Sequence, residues 1–548
     1  PAPFPSCLDN LEQQTQRLDI NSLSTESLDI NDIREVVGGK NKSFRPTLKG
    51  FQYWKELRSI TRAGRTGAEM PTNLKRVHLR VALAAYIRGA LKTAKFGDGI
   101  FTLRTLDELI ANEVVNGLNQ QGWGTIRTIN ELTLQKSDGN LDTVKFKTTM
   151  TPACELSIAM AQSYKASKLR GVCSYATQEG RHSVNLWQTK FDSLSKATAD
   201  DQTPKETRLF SGVRHGVHDA YGHGKDEYSR KMANDGRIEE FIAACLVDKI
   251  EKIKLTDDEL NGRAVIDLPI VSVNLLTPVG KEKSMIANQT AAFERAQQTV
   301  FSVEVDGGSG HPPYKVKVSP RFVTFNLPVN HVSLSPVATP LGIWATADKM
   351  NEAGLNQLLG SAVEGAPIGG IVGAKLASLA EQLSSLPEAN GTADQETQRS
   401  QLTQKIKEIQ TLVSQVRKIF KNKSHHQVGQ EPYKLPVRLL ALANECSAVP
   451  AFNCKSGKDR TGQLNVEIRD FYAHYHGTGR LRDPDTVRSN NARRNYQTLF
   501  VDGGDREIQR LNTSVPGSKS QLPYYNHLLG VRTQTMDAIK GLSKWVGT

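Results

Sequence analysis

The chain has 548 residues, of which 38% are hydrophobic and 23% charged, and a formal net charge of +13. That composition supports several cores and excludes a wholly disordered chain. No run of about 18 uncharged apolar residues occurs, so a spanning helix is not expected, and the first residues lack the basic-then-apolar pattern of a secretory leader. Six cysteines (Cys7, Cys154, Cys173, Cys245, Cys446 and Cys454) are scattered without a C-x-x-C pair. A disulfide framework and a cysteine zinc site are therefore not expected, and a reducing compartment is.

The positive charge is unevenly spread, and its distribution marks the segments. Residues 1–40 are acidic, net −4, and rich in Ser and Asn; they read as a mobile N-terminal segment. Residues 41–100 carry net +10, which asks for an acidic partner. From about Ser43 to Leu169 the pattern reads as mostly helical, giving an expected basic domain over 41–170. Within it, Leu74–Leu91 places Val77, Val81, Ala84, Ala85 and Leu91 on one face with Arg76, Arg80 and Arg88 between them. No nucleic-acid fold signature accompanies these cations. Phe44, Phe51, Tyr53 and Trp54 lie among them, which suits a protein partner or a lipid surface, and nucleic acid is not expected.

From Gly171 the texture changes. Ala264–Leu276 and Tyr314–Asn326 read as strands separated by Gly/Pro turns. Residues 387–400 read as a linker. Leu402, Ile406, Ile409, Val413, Val416 and Phe420 then alternate at four and three, the seam of a packed helix. It is expected to be half of a helical hairpin over about 371–424. A further helix is expected near Leu435–Leu442, then a short buried strand at Ala448–Phe452, then a helix over Thr461–His474.

Between that strand and helix lies Asn453-Cys-Lys-Ser-Gly-Lys-Asp-Arg-Thr-Gly462. Strand, glycine-containing loop and helix make a phosphate-binding arrangement. C-x5-R alone is a common chance match; the filling makes it specific. Cys454 at the loop mouth, near Lys455, Lys458 and Arg460, is placed to act as a thiolate nucleophile. Backbone N–H groups from Lys455 through Ser456, Gly457 and Lys458 to Arg460 can nest three phosphoryl oxygens. Gly457 permits the turn, Arg460 offers a planar fork for two oxygens, and Thr461 can donate to the departing sulfur. Asp459 is the carboxylate within the loop and the first candidate for general acid; an ion pair with a neighbouring lysine is the alternative reading. Asp483, Asp485 and Asp502 remain further candidates. A nucleotide P-loop fails, because Gly457-Lys458 is followed by Asp459. Two loop lysines suit a headgroup with several phosphates, which points to inositol phosphates or phosphoinositides.

The loop resembles, residue for residue, the catalytic loop of the SopB/SigD/IpgD family of type III-secreted inositol phosphate phosphatases. Similar segments run from Gly171 to the C-terminus. They include Gly171–Ser174 with Asn185-Leu-Trp187, Val213-Arg-His-Gly-Val217, Phe325-Asn-x-x-Val-Asn330, His425-His-x-x-Gly-x-Glu-Pro-Tyr-Lys-Leu435, Ala448-Val-Pro450, and Glu507-Ile-Gln-x-x-Asn-Thr513 with Lys519. The resemblance implies an α/β (α+β) catalytic domain over 171–548 with a cysteine-phosphatase-type strand, P-loop and helix, preceded by the helical domain. It implies a phosphocysteine on Cys454, with Arg460 as phosphate clamp and Gly462, Lys519, Asn326 and Asn330 at the substrate, and no metal or other cofactor. It also implies a bacterial effector delivered into a host cell, working in the cytosol and on the cytoplasmic face of host membranes. A Rho-family GTPase, Cdc42, is the implied partner of the N-terminal domain, with a secretion chaperone before delivery. Where the family usually has Glu after the Val-Asn pair, this chain has His331, so positional specificity differs if that carboxylate acts on substrate.

Alternatives stay open at this stage. Discharge of phosphocysteine by an inositol hydroxyl gives a phosphotransferase or isomerase with the same residues. GTPase capture alone would make the chain an interaction protein. Arg214-His215-Gly216 lacks the Arg and Pro of a histidine phosphatase and reads as structural. His215, His218, Asp219 and His223 are too loosely spaced for an expected metal site. His425-His426 read as part of a turn beside the catalytic domain.

Overall fold

A computed structural model describes residues 122–513, apart from 137, 175–179, 196–204, 221–225, 308–311, 331 and 388–391. The chain divides into two compact units, and the described residues belong almost entirely to the one that begins at Trp123 and runs to Ile508. The acidic segment 1–40, the Leu74–Leu91 helix, the aromatic-basic cluster, His223, His331 and Lys519 lie outside the described residues.

In chain order the elements are β1 (Ile126–Gln135), β2 (Leu141–Pro152), α1 (Ile158–Ala166), β3 (Trp187–Leu194), β4 (Glu206–Gly216), α2 (Glu227–Ile250), β5 (Val265–Asn274), α3 (Gly280–Gln297), β6 (Phe301–Val305) and β7 (Tyr314–Asn326). There follow α4 (Ile343–Leu359), α5 (Gly370–Ser384), α6 (Ala393–Lys421), α7 (Lys434–Glu445), β8 (Val449–Cys454), α8 (Asp459–Thr478), α9 (Asn490–Asp502) and α10 (Asp505–Thr513). All eight strands form one sheet in the order β1-β2-β3-β4-β8-β5-β7-β6. The first four form an antiparallel meander. β4, β8, β5 and β7 are mutually parallel, and β6 closes the edge antiparallel to β7.

β8 sits near the centre and is buried at all six positions, as a strand covered on both faces must be. Helices α2 and α3 pack on each other and on the sheet as one layer; α7 and α8 do so as another. Polar alternation gives way to continuous burial from the meander into β5 and β8, which is the pattern of a sheet solvated at one end and enclosed at the other.

Two expectations are corrected. The helical reading of 41–170 fails over 126–152, where β1 and β2 alternate exposed and buried residues with a period of two. Their few large apolar residues, such as Leu132, Leu134 and Phe146, sit among Thr, Lys and Asp, so the short period is easily overlooked. The linker read over 387–400 gives way to helix at Ala393. Thr392 and Gln395 form a capping box there, and the polar run is an exposed first turn rather than a loop. The hairpin expected over 371–424 appears as α5 and α6, and the seam residues from Ile409 to Phe420 are its buried side.

Candidate active site

The parallel strands end together on a row of polar residues. His215 of β4 is opposite Asn453 of β8, which is opposite Asn274 of β5, which is opposite Asn326 of β7. Ligands of open α/β sheets bind at this carboxyl edge. Cys454 follows Asn453, is 2% exposed, and leads through the four-residue turn 455–458 into α8.

The turn is drawn against the protein by its carbonyls. Val217 N donates to Lys455 O at 3.1 Å, Asn185 Nδ2 to Ser456 O at 2.9 Å, and Arg214 Nη2 to Gly457 O at 3.0 Å. In a trans peptide the N–H points opposite the C=O. The amides of Ser456, Gly457 and Lys458 are thereby turned away from those anchors. Gly457 has φ +67°, and a Cβ there would stand 2.6 Å from the His215 carbonyl carbon. No side chain caps the start of α8, so its first turn retains the positive end of the helix dipole.

Arg214, the Arg of the Arg-His-Gly motif, is fully buried and holds the loop rather than reacting. Its other nitrogen is paired with Asp505, which also pairs with Arg469 and accepts from Asn465 Nδ2 at 3.1 Å. One carboxylate thus pairs with two buried guanidinium groups behind the loop. His215 Nδ1 donates to the Gly216 carbonyl, 2.6 Å away, and burial pushes its imidazole down to about 4. Its ring stacks on His218 at 4.1 Å, and both contact Phe241. An aromatic packing role accounts for this pair.

Arg460 is aligned by a residue that sequence reasoning missed. Glu282, in the first turn of α3, receives Arg460 Nη2 at 2.6 Å and Nη1 at 3.2 Å. Arg460 Nη1 also donates to Leu275 O at 2.7 Å. Burial would raise the Glu282 carboxyl, but Arg460, the Thr277 amide and Lys455 outweigh it and hold it below its ordinary value. Burial opposes the charge on Arg460 too, and Glu282 and Cys454 more than restore it. Burial and nearby cations lower Lys455, with Cys454 and Glu282 acting against them. Both cations therefore lie within electrostatic reach of the thiol. Nothing in the sequence around Glu282 marks it out; it is an ordinary acidic residue at a helix start.

Asp459 Oδ2 accepts from Lys458 Nζ at 2.7 Å, the ion pair weighed as its alternative role, while Oδ1 is buried without a partner. Thr461 Oγ1 is likewise buried without a partner. Gly462 is buried in α8, where a Cβ would meet Asp505 and Arg214. Asn326 Nδ2 donates to the carbonyls of Asn274 and Leu276; Asn330 bonds Thr277 and Ser333. Both tie loops beside the site together. Asp485 accepts from the Gln430 and Glu431 amides and Lys434, and Asp483 from Gln415. Among the described residues, one His/Asp group brings ligand atoms within 4.8 Å of one another: Asp348, His425 and His426. There the two imidazoles and Lys423 already bond the carboxylate.

Residues 72–529 match the family model described as enterobacterial virulence protein IpgD, a wider stretch than the motifs alone suggested. Over 414 residues the chain is 34% identical to the inositol phosphate phosphatase SopB of Salmonella typhi, covering 74% of this chain and 65% of that protein. It thus spans just under two thirds of that relative's length. It is 30% identical over 467 residues to the inositol phosphate phosphatase IpgD of Shigella flexneri, covering 82% and 77%. The SopB of Salmonella bongori is 33% identical over 448 residues, covering 79% and 95%. In fold the chain is similar to a solved Legionella phosphoinositide phosphatase, with TM-score 0.54, 12% identity, and 90% and 85% covered. The Legionella phosphoinositide phosphatase SidF gives TM-score 0.52, 11% identity, and 91% and 86% covered. The extent of the family match and the identity to these relatives make this chain a member of the enterobacterial virulence protein IpgD family.

Proposed function

We propose that the chain is a cysteine-dependent phosphatase of phosphoinositides and inositol polyphosphates. The observation that carries this reading is the arrangement around the turn 455–458. A cysteine ends the central parallel strand, three consecutive amides face away from the protein anchors, and a partly buried carboxylate holds the Arg460 fork. The names of its relatives, inositol phosphate phosphatases, supply the substrate class.

In this mechanism the three phosphoryl oxygens sit on the loop amides and the Arg460 guanidinium. The Cys454 thiolate attacks phosphorus, the bond to the inositol oxygen breaks, and that oxygen takes a proton from Asp459. Water then attacks the phosphocysteine, the S–P bond breaks, and inorganic phosphate leaves. The Thr461 hydroxyl, buried without a partner, donates to the departing sulfur. Lys455 receives a further phosphate of the headgroup, Lys458 stays buried and paired with Asp459, and Lys519 is assigned to substrate by the family resemblance. The same resemblance extends the reading to delivery into a host cell, a secretion chaperone, and Cdc42 capture by the N-terminal residues.

Phosphate release from a panel of inositol lipids and soluble inositol polyphosphates tests the reading. Cys454→Ser and Arg460→Ala are expected to abolish release. Equal release from Cys454→Ser would overturn the phosphocysteine mechanism.

A further inference from the structure

We infer that the loop joining β7 to α4 is a preformed lipid-docking knob that seats the active site on an anionic bilayer. The inference rests on the phosphoinositide reading and adds the surface through which a lipid substrate is reached.

From Phe322 to Ala347 the sequence contains no Asp, Glu, Lys or Arg. Within ten residues of that run, Val332, Val337 and Leu341 are 40%, 54% and 49% exposed. Pro336 and Pro340 beside them are exposed as well. Most other exposed large hydrophobics of the described residues stand singly along the chain, which is ordinary for a surface. Three in one uncharged loop are not.

The loop is ordered from within. Leu334 and Ala338 are buried beneath it, and Trp344 Nε1 donates to Ser333 O at 2.8 Å. Backbone bonds run from Leu334 N to Asn330 O, Ala338 N to Ser335 O and Gly342 N to Thr339 O. Backbone groups satisfied internally are what a segment entering the interface needs, because lipid offers them no partner.

The loop is also rooted at the reactive centre. Ser333 and Asn330 bond Thr277, the Thr277 amide bonds Glu282 at 2.6 Å, and Glu282 holds Arg460. Val332, next to Ser333, is thus linked to the phosphate clamp through an unbroken chain of hydrogen bonds. Lys281 and Lys283, on either side of Glu282, are exposed, and Lys281 acts electrostatically on Lys455 in the loop. The apolar loop is tied through Thr277 to Glu282, whose two neighbours are these exposed lysines, and apolar side chains with lysines complement the acyl boundary and anionic headgroups of a bilayer. A soluble inositol phosphate would not touch the apolar residues.

The test uses the full chain and the double variant Val337→Asp/Leu341→Asp, whose new carboxylates are solvated in the free protein. Substrates are a phosphatidylinositol bisphosphate in phosphatidylcholine–phosphatidylserine vesicles and a soluble inositol polyphosphate. On vesicles, kcat/KM is expected to fall about tenfold or more, the usual scale for losing two buried apolar anchors; on the soluble substrate it is expected to be unchanged. Val337→Trp reports the contact directly: its added fluorescence, the parent spectrum subtracted, shifts to the blue on the same vesicles. Unchanged vesicle activity in the double variant, equal loss on both substrates, or an added tryptophan that stays water-exposed would each overturn the inference. Failure of the parent chain to act on either substrate would instead count against the phosphatase reading, and the fluorescence shift would still decide the docking.

Discussion

Asp505→Asn is the sharpest probe of how the loop 455–458 is held. Asp505 is 3% exposed and faces two guanidinium groups, of Arg214 and Arg469, that are fully buried. The asparagine keeps the shape but removes the charge and turns an amide toward donors. Leaving such charges buried and uncompensated costs about 3–5 kcal/mol. For a unit this large the entropy of unfolding gives about 1 °C per kcal/mol, so the melting temperature falls by roughly 3–6 °C. The same change reaches catalysis, because Arg214 also donates to the Gly457 carbonyl. A loop displaced by a fraction of an ångström loses about 10–100-fold in kcat. Thermal unfolding, with phosphate release from a soluble inositol polyphosphate measured well below the melting point, reads both effects. Adding Arg214→Met to the variant removes one stranded charge and should recover part of the stability while leaving activity low. A melting temperature within about 1 °C of the parent, with normal activity, would refute the assignment of Asp505 as the neutralising group.

Three further outcomes are expected. Glu282→Gln weakens two charge-assisted bonds to Arg460 and should lower kcat/KM by roughly 10–100-fold, or ~1.5–3 kcal/mol, with little change in melting; full activity would remove Glu282 from the site. Gly457→Ala forces a side chain into a left-handed backbone and against His215, so activity should fall roughly hundredfold while the protein stays folded, as judged by circular dichroism beside the activity assay. His215 is held neutral down to about 4 in the folded chain but titrates near 6.5 when unfolded. Its contribution is fully present above about pH 6.5 and is lost as pH falls toward about 4, a total of about 3 kcal/mol. Urea midpoints at pH 7.5 and 5 should show that decline, to which His218 and His474, also lowered by burial, contribute, and His215→Asn, which keeps an N–H for the Gly216 carbonyl, should reduce it.

The local parts of the site were legible because their chemistry is contiguous. Buried strand, glycine turn and helix start are consecutive in the chain, and Cys454, Gly457 and Arg460 can be read from residue type and spacing alone. The two long strands at 265–274 and 314–326 and the seam helix were legible for the same reason, since periodicity is a local property. Where apolar residues are sparse, as in β1 and β2, periodicity loses contrast, and the strands emerge only from their pairing.

The residues that make the loop competent could not be read this way. Glu282 meets Arg460 across 178 positions, Asn185 meets Ser456 across 271, and Arg214 meets Asp505 across 291. Glu282 and Asp505 are ordinary acidic residues in their own neighbourhoods, and the segments that carry Asn185 and Arg214 do not reveal locally that they meet the loop. The sequence by itself determined the order of cysteine, glycine and arginine from which a phosphate site is proposed, because that depends on functional groups a few bonds apart. Only the tertiary structure decided what aligns and neutralises them, because burying a guanidinium or a carboxylate requires a countercharge, and the parallel sheet brings those countercharges together from distant strands and helices.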